Sequence, residues 1–364
     1  MRICILTEYL TYIGGGERVY CNWANMFADE LGHDVTISSF EDAQSTFYKI
    51  SDKVKIESLH LRKEKYYQNK IRRKLQMIIY AHSDICALAK YFEQHNFDII
   101  IGIATNISLL LALTRINNSI KIGTEHTEYD GAAFYLRWLR KSIYPKLNIL
   151  TVLTQADKNR FDKFMPNVVV MPNPLSISTS SISNLENKKI VSIGSLSPQK
   201  DQLTMLDIFK KVQKKHPEWI LEIYGEGVMR KQLECKIQEL ELTNHVFLRG
   251  TIQDVAQALL TSSIFILTSK IEGFGLVLIE AMACGVPCIS FDNPGPSDII
   301  NDGKNGFLIA NRDMDLFATK IIKIIEDASL REKMGVQAKL CIERFNPEKI
   351  KHRWDLLLQQ HIPN

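Results

Sequence analysis

The 364-residue chain lacks any apolar stretch approaching the ~18–20 residues that span a bilayer. The longest, 107–113, is far too short and follows a strand-like run. Met1 and Arg2 lead straight into strand-like residues 3–6, so no signal peptide with a charged head and cleavage site is expected. Cysteine is sparse: seven residues, an odd number without framework spacing, read as reduced thiols of a cytoplasmic protein rather than a disulfide scaffold. There is no strong excess of either charge. Lys and Arg total 45 against 41 Asp and Glu, and a net charge of +4 argues against a dedicated nucleic-acid binder. No tandem repeat of the solenoid kind is visible. A composition of 45% hydrophobic and 24% charged residues excludes disordered and collagen-like classes, and the length favours two domains over one core.

The small positive excess is unevenly placed. Residues 176–364 balance to zero, so the excess belongs to the first half. There Arg62, Lys63, Lys65, Lys70, Arg72, Arg73 and Lys74 are offset only by Glu64.

Strand-like runs alternate with helical patterns along nearly the whole chain, the signature of parallel α/β units. In the first half, strands are predicted at 2–7, 35–38, 99–103, near 120–123 and at 149–153, with a helix over 17–31 closed by Gly32. The Met171-Pro172-Asn173-Pro174 run ends regular structure, because two prolines remove donors and fix φ, and a serine-rich stretch follows. The alternation then restarts, with strands at 190–194, 220–224, 246–248, 264–267 and 287–290. Helices begin near 202 and 228 and cover 252–260 and 275–284; a helical tail over 312–361 is interrupted at Asn346-Pro347. The expected organisation is a first domain over 1–172, a linker over 173–187, a second domain over 188–345 and a C-terminal helix over 346–364 that packs back on the first domain. Ligands in open α/β sheets sit beyond the carboxyl ends of the strands, so two such domains facing each other make a cleft.

Three glycine-bearing loops follow strands. Gly14-Gly15-Gly16-Glu17-Arg18 opens the first helix, where backbone can approach a ligand and unpaired N–H groups can meet an anion; read alone, it is equally a loop without ligand. It is neither a Walker A loop nor a G-x-G-x-x-G fingerprint. Gly194-Ser195-Leu196-Ser197-Pro198-Gln199-Lys200-Asp201 occupies the same place in the second half, with Lys200 placed either to neutralise a phosphate or simply in solvent. Gly225-Glu226-Gly227 is a further tight turn, read as structural. The third loop is the most specific: Glu272-Gly273-Phe274-Gly275 enters a helix running through Glu280-Ala281-Met282-Ala283-Cys284-Gly285. A carboxylate accepts hydrogen bonds from two hydroxyls, so two glutamates bracketing a phosphate-binding helix start suit the two ends of a nucleotide sugar. The plain alternative is an amphipathic helix with two surface glutamates.

This last segment resembles the E-x7-E motif of the retaining glycosyltransferases of family 4. The Gly-Gly loop with Glu17-Arg18, Leu31-Gly32-His33-Asp34-Val35, Pro172-Asn173-Pro174, Ser197-Pro198-Gln199-Lys200 and Arg344-Phe345 fit the same pattern in order. The resemblance implies a GT-B fold: α/β, with two facing Rossmann-like domains, parallel sheets and an interdomain cleft. The second domain would hold the donor nucleotide and the first the acceptor. It implies Lys200 as a diphosphate ligand, Glu272 as a contact to donor-sugar hydroxyls, and Phe274, Gly275 and Leu276 as backbone near the phosphates. Glu280 would bind the ribose, and Arg249 and Gly250 would flank the base. Gly15 and Gly16 would approach the phosphates, and His126 would lie beside the transferred sugar.

One departure matters. The family pattern has Gly-Arg-Leu where this chain has Gly194-Ser195-Leu196, so one of two cations on the leaving diphosphate is absent. Ser195 can donate a hydrogen bond but not replace the charge; Arg18 is one candidate substitute. No cofactor and no metal are expected. Asp313-Met314-Asp315 is better explained as a helix cap than as a D-x-D metal site, and Cys284 and Cys288 lack the second pair a zinc site needs.

The expected reaction is transfer of a hexose or N-acetylhexosamine from a nucleotide diphosphate sugar, UDP-sugar favoured, to a glycan hydroxyl. No residue is expected to act as a covalent nucleophile. The mixture of cations and aromatics over 62–80 and 135–141 suits peripheral contact with an anionic membrane surface, and equally a solvated helix face. The resemblance implies a polyprenyl-pyrophosphate-linked glycan acceptor at the inner face of the cell membrane. A sugar-nucleotide epimerase or hydrolase of the same fold, or a catalytically weakened binding module, remains open on sequence.

Overall fold

The computed structural model describes residues 1–10, 15–41, 46–61, 70–116, 118–177 and 179–360, with backbone alone for 70–80 and 311. The chain divides into two compact units, Met1–Pro172 with Ile350–Asn364, and Asn173–Lys349.

The first unit is built on a seven-stranded sheet: β1 (Arg2–Thr7), β2 (Asp34–Ser39), β3 (Lys55–Ser58), β4 (Ile99–Gly102), β5 (Ile120–Thr124), β6 (Ile149–Val152) and β7 (Val168–Val170). Their spatial order is β3-β2-β1-β4-β5-β6-β7, and every pairing is parallel. The second unit has β8 (Lys189–Ile193), β9 (Ile220–Tyr224), β10 (Val246–Gly250), β11 (Ile264–Leu267), β12 (Cys288–Phe291) and β13 (Gly306–Ile309), in the order β10-β9-β8-β11-β12-β13. Both sheets thus reverse direction of growth at one place, between β1 and β4 and between β8 and β11. In doubly wound sheets that switch point, at the carboxyl ends, is where ligands bind.

The central strands are short apolar runs buried on both faces, as parallel sheets require; Ile264–Leu267 and Cys288–Phe291 are buried throughout. The strands absent from the sequence reading are β3, β7 and β13. The first is a polar edge strand of sequence Lys-Ile-Glu-Ser, and the second has three residues. The short helix Pro294–Ile299 was also not anticipated, its two prolines sitting in and next to the first turn.

The first helix departs from the expected 17–31. It is α-helical over Gly15–Asn25 and then widens to a π-turn over Met26–Glu30, closed by Leu31 N–H donating to Met26 O at 3.1 Å before Gly32 at φ 69°. Residues 173–187 do not stand free between units: Leu175 N–H donates to Phe345 O, and Ser183 donates from N to Cys284 O and from Oγ to Ser262 O, so this stretch runs along the second unit. The helix Pro347–Gln359 starts after the predicted break at Asn346. Its Trp354, fully buried, packs edge-on against Trp23 at 4.9 Å and Phe27 at 5.4 Å in the first unit.

Candidate active site

In the second unit, the loop after β8 carries Lys200 and the loop after β11 carries Glu272, so the switch point brings them together. Lys200 Nζ stands 2.6 Å from Glu272 Oε2. Ser269 Oγ donates to the same oxygen at 3.1 Å. Glu272 is nearly buried while Lys200 stays partly exposed, which leaves the ammonium accessible to an anion.

The loop holding Lys200 is shaped by backbone packing that only glycine permits. A Cβ on Gly225, at φ 140°, would meet Gly194 O at 2.0 Å. Leu196 N–H donates to Glu226 O at 2.9 Å and Met229 N–H to Leu196 O at 3.0 Å, so the Gly225-Glu226-Gly227 turn braces the phosphate-loop candidate from below. Ser195 is exposed, and its Oγ lies 3.4 Å from Ser197 Oγ.

Gly275 caps the helix Leu276–Ala283 in the left-handed region, φ 91° and ψ 59°, where any L-residue would be strained. The Phe274 side chain is buried edge-on against Phe345 at 5.4 Å, and its backbone lies against Gly295, where a Cβ would meet Phe274 O at 2.5 Å. Glu280 is fully buried, and Ser176 Oγ donates to its Oε1 at 2.5 Å. Arg249 is already engaged: its Nε donates to Glu222 Oε1 at 2.9 Å, and its guanidinium lies 4.7 Å over Phe247. Burial raises the Glu222 carboxyl, but hydrogen bonds from Arg249 and Tyr224 and the nearby Lys189 outweigh it and hold its pKa below the usual value. Gly250 follows at φ 77°. Asp313 accepts from the N–H groups of Asp315 and Leu316 at 3.0 and 2.9 Å, which is the capping role expected for the D-x-D string.

In the first unit, Gly15 and Gly16 form the first turn of the opening helix, and a Cβ on Gly16 would meet nothing within 4 Å. Gly14 lies outside the described residues. His126 follows β5, with its ring centroid 5.8 Å from that of Trp23. Burial lowers its pKa to about 4, so the imidazole is neutral at neutral pH. Its Nε2 lies 3.1 Å from the Thr124 hydroxyl, whose oxygen is also 3.1 Å from Gly102 O.

Next to His126 lies a network that the sequence did not announce. Glu125 is buried and accepts from Arg140 Nη2 at 2.8 Å, Thr105 Oγ1 at 2.8 Å and the Tyr144 hydroxyl. This corrects the reading of 135–141 as a surface stretch in which Arg140 is one of the cations: the side chain is 1% exposed and turned inward. On the same helix, Phe134–Ile143, Phe134, Tyr135 and Trp138 are exposed. Of the basic stretch at 62–80, residues 62–69 lie outside the described residues, and residues 70–80 contribute the start of the helix Lys70–His95 as backbone alone.

Sequence and fold comparisons bear on the family and the fold. Residues 13–179 match the family model described as Glycosyltransferase Family 4, and residues 176–340 match that described as Glycosyl transferases group 1. A Campylobacter jejuni GalNAc-alpha-(1->4)-GalNAc-alpha-(1->3)-diNAcBac-PP-undecaprenol alpha-1,4-N-acetyl-D-galactosaminyltransferase is 28% identical over 354 residues, 95% of each chain. The amylovoran biosynthesis glycosyltransferase of Erwinia amylovora is 26% identical over 98% of this chain and 99% of its own. The fold superposes on a Staphylococcus aureus TarM variant, solved with fondaparinux, alpha-GlcNAc-glycerol and UDP, at a TM-score of 0.81 and 18% identity, covering 98% of this chain and 99% of that one. The two matched segments together run from residue 13 to residue 340, and the chain belongs to the family 4 glycosyltransferases.

Proposed function

We propose that this glycosyltransferase moves a hexose or N-acetylhexosamine from a UDP-sugar, with retention at the anomeric carbon, to a hydroxyl of a polyprenyl-pyrophosphate-linked glycan in bacterial surface polysaccharide assembly. The observation that carries the reading is the Lys200–Glu272 pair at the switch point of the second sheet. Support for the acceptor class comes from the Campylobacter relative, whose name specifies an undecaprenol-PP-linked glycan, and for the nucleotide from the UDP of the TarM complex.

In the donor-loaded enzyme, the Lys200 ammonium exchanges Glu272 for the diphosphate. Glu272, released, accepts hydrogen bonds from sugar hydroxyls. The start of the helix Leu276–Ala283 adds unpaired N–H groups and the positive end of its dipole, with Phe274, Gly275 and Leu276 supplying backbone and Ser195 a hydroxyl. Glu280 takes the ribose, Arg249 and Gly250 flank the base, and Gly15 and Gly16 are read as phosphate contacts. His126, neutral at neutral pH, hydrogen-bonds the transferred sugar.

The acceptor hydroxyl attacks on the face from which the nucleoside diphosphate leaves, and the leaving diphosphate takes its proton. No side chain forms a covalent intermediate. Lys200 and the helix start meet the charge that develops on the diphosphate, and no metal is assigned a role. Preorganised groups of this kind are worth about 10²–10³ in rate each.

No described helix is long and apolar enough to cross a membrane. The enzyme works at the cytoplasmic face, touching anionic lipid through the basic 62–80 stretch and through Phe134, Tyr135, Trp138 and Lys141; the three aromatics are 79%, 62% and 61% exposed. Nucleoside diphosphate release from UDP-, GDP- and ADP-sugars, measured with and without a polyprenyl-pyrophosphate-linked sugar in detergent, tests the proposal. Acceptor-dependent release of UDP with an α-linked product is expected. Release independent of acceptor, or an inverted product, overturns it.

A further inference from the structure

Arg312 is a bulky residue in a backbone conformation that suits glycine. It ends the short turn Ala310–Arg312 after β13 at φ 53°, and the residue it pairs with, Asp201, stands at φ 51°. Two L-residues in the left-handed region, joined by an ion pair, persist only where surrounding contacts over-determine them.

Those contacts reach four strand ends of the second sheet. Arg312 Nη2 donates to Asp201 Oδ2 at 2.5 Å, after β8, and to Thr268 O at 3.3 Å, after β11. Its Nη1 donates to Ser269 O at 3.0 Å, and its guanidinium stacks 4.3 Å from the centre of Phe291, the last residue of β12. The chain itself supplies the fourth end, that of β13. Thr268 Oγ1 completes the tie, its one proton shared between Lys200 O at 3.2 Å and Asp201 O at 3.0 Å.

The anchors lie one bond from the chemistry. Asp201 directly follows Lys200, and Ser269, whose carbonyl Arg312 holds, uses its hydroxyl to hold Glu272 Oε2 at 3.1 Å. We infer that Arg312, through Asp201 and Ser269, is a positioning residue that sets Lys200 opposite Glu272, without itself touching substrate. The inference rests on the reading of Lys200 as the diphosphate ligand. It also follows from Ser195: with no arginine in the Gly194 loop, the place of one ammonium decides how well the leaving group is met.

The test is a double-mutant cycle on donor turnover with Arg312→Ala and Lys200→Ala, each variant checked for folding by circular dichroism and thermal melting. Arg312→Ala alone is expected to lower kcat at least tenfold while the donor KM moves less than threefold. In the Lys200→Ala background the same change is expected to cost less than twofold, because the group it positions is gone. Guanidinium ion added to Arg312→Ala restores part of kcat. If Arg312→Ala fails to fold, Arg312→Lys and Asp201→Asn take its place in the cycle, since each keeps most of the packing while breaking the fork. Equal losses in both backgrounds overturn the inference alone. No turnover by the wild-type enzyme with any donor overturns the proposed function, and the inference with it.

Discussion

Lys200 Nζ and Glu272 Oε2 stand 2.6 Å apart although 72 residues separate them in the chain. The pairing neutralises both groups. Under the proposed function the ammonium serves the diphosphate and the carboxylate the sugar hydroxyls. Lys200→Ala and Glu272→Ala are each expected to lower transfer by about 10²–10³-fold. Each leaves the other group without its partner in a partly buried place, so a stability loss of about 1–3 kcal/mol accompanies the loss of activity. Steady-state turnover and thermal melting of the two variants check both figures; wild-type rates in well-folded variants would remove these residues from the mechanism.

Central strands were legible because they are short, mostly apolar runs, and residues 2–7, 220–224 and 264–267 have observed bounds equal to those read. Edge strands lose that signal. Lys55–Ser58 is half charged and solvated, so nothing in its composition separates it from loop. The motif residues could be named from their loops, but not their partners. Arg312 and Asp201 are 111 positions apart and carry no local mark of an ion pair, and Arg140, in a run of aromatics and cations, looks like a surface residue until helix packing turns it onto Glu125.

Gly16 offers a clean separation of stability from function. It sits in the first turn of Gly15–Asn25 with open space where a Cβ would go. Gly16→Ala is therefore tolerated by the fold and raises stability by up to ~0.5–1 kcal/mol, through the lower entropy of the unfolded chain. If phosphate oxygens come close to this backbone, the same methyl weakens donor binding. Expected together are an unchanged or higher melting temperature and a donor KM raised at least fivefold. An unchanged KM would remove Gly16 from the donor site.

His126 makes a pH prediction with a definite sign. Its folded pKa, about 4, lies below the unfolded value near 6.5 because burial disfavours the imidazolium. Between these values the unfolded chain binds a proton that the folded one does not, so stability is full above about pH 6.5 and falls as pH drops toward 4. The integrated loss is up to about 3 kcal/mol. His126→Gln should flatten that part of the urea-denaturation profile. Between pH 6.5 and 8 the ring does not titrate, so no rate inflection there belongs to it.

Trp354 ties the C-terminal helix to the core of the first unit beside His126. It packs on Trp23, whose other neighbour is the His126 ring. Trp354→Ala opens a cavity in a fully buried cluster and should cost about 3–5 kcal/mol. Trp354→Phe keeps most of the volume and should cost markedly less. The informative measurement is tryptophan fluorescence and turnover on the Phe variant. A lowered kcat in a protein that melts near wild type would mean that the helix tail acts on His126 through Trp23 rather than through global stability.

Ser195 invites the reverse experiment, adding a charge instead of removing one. The residue is exposed; its hydroxyl makes the long contact to Ser197 and its carbonyl accepts from Gln202 Nε2 at 2.9 Å, so a larger side chain can leave the loop toward solvent without displacing Gly194 or Leu196. An arginine there brings a planar donor fork to the loop that already holds Lys200. Its cost without donor is repulsion from Lys200, which Glu272 offsets. In the loaded site a diphosphate bears more charge than one lysine neutralises, so the second cation gains more than it loses. Ser195→Arg is accordingly expected to bind nucleoside diphosphate about tenfold more tightly, with a steeper dependence on salt, and to raise turnover unless product release becomes limiting. Calorimetric titration of UDP and of uridine separates the causes: tighter UDP with unchanged uridine places the gain on the phosphates, whereas equal changes in both would mean that the loop has moved and that the missing arginine was never a gap in the site.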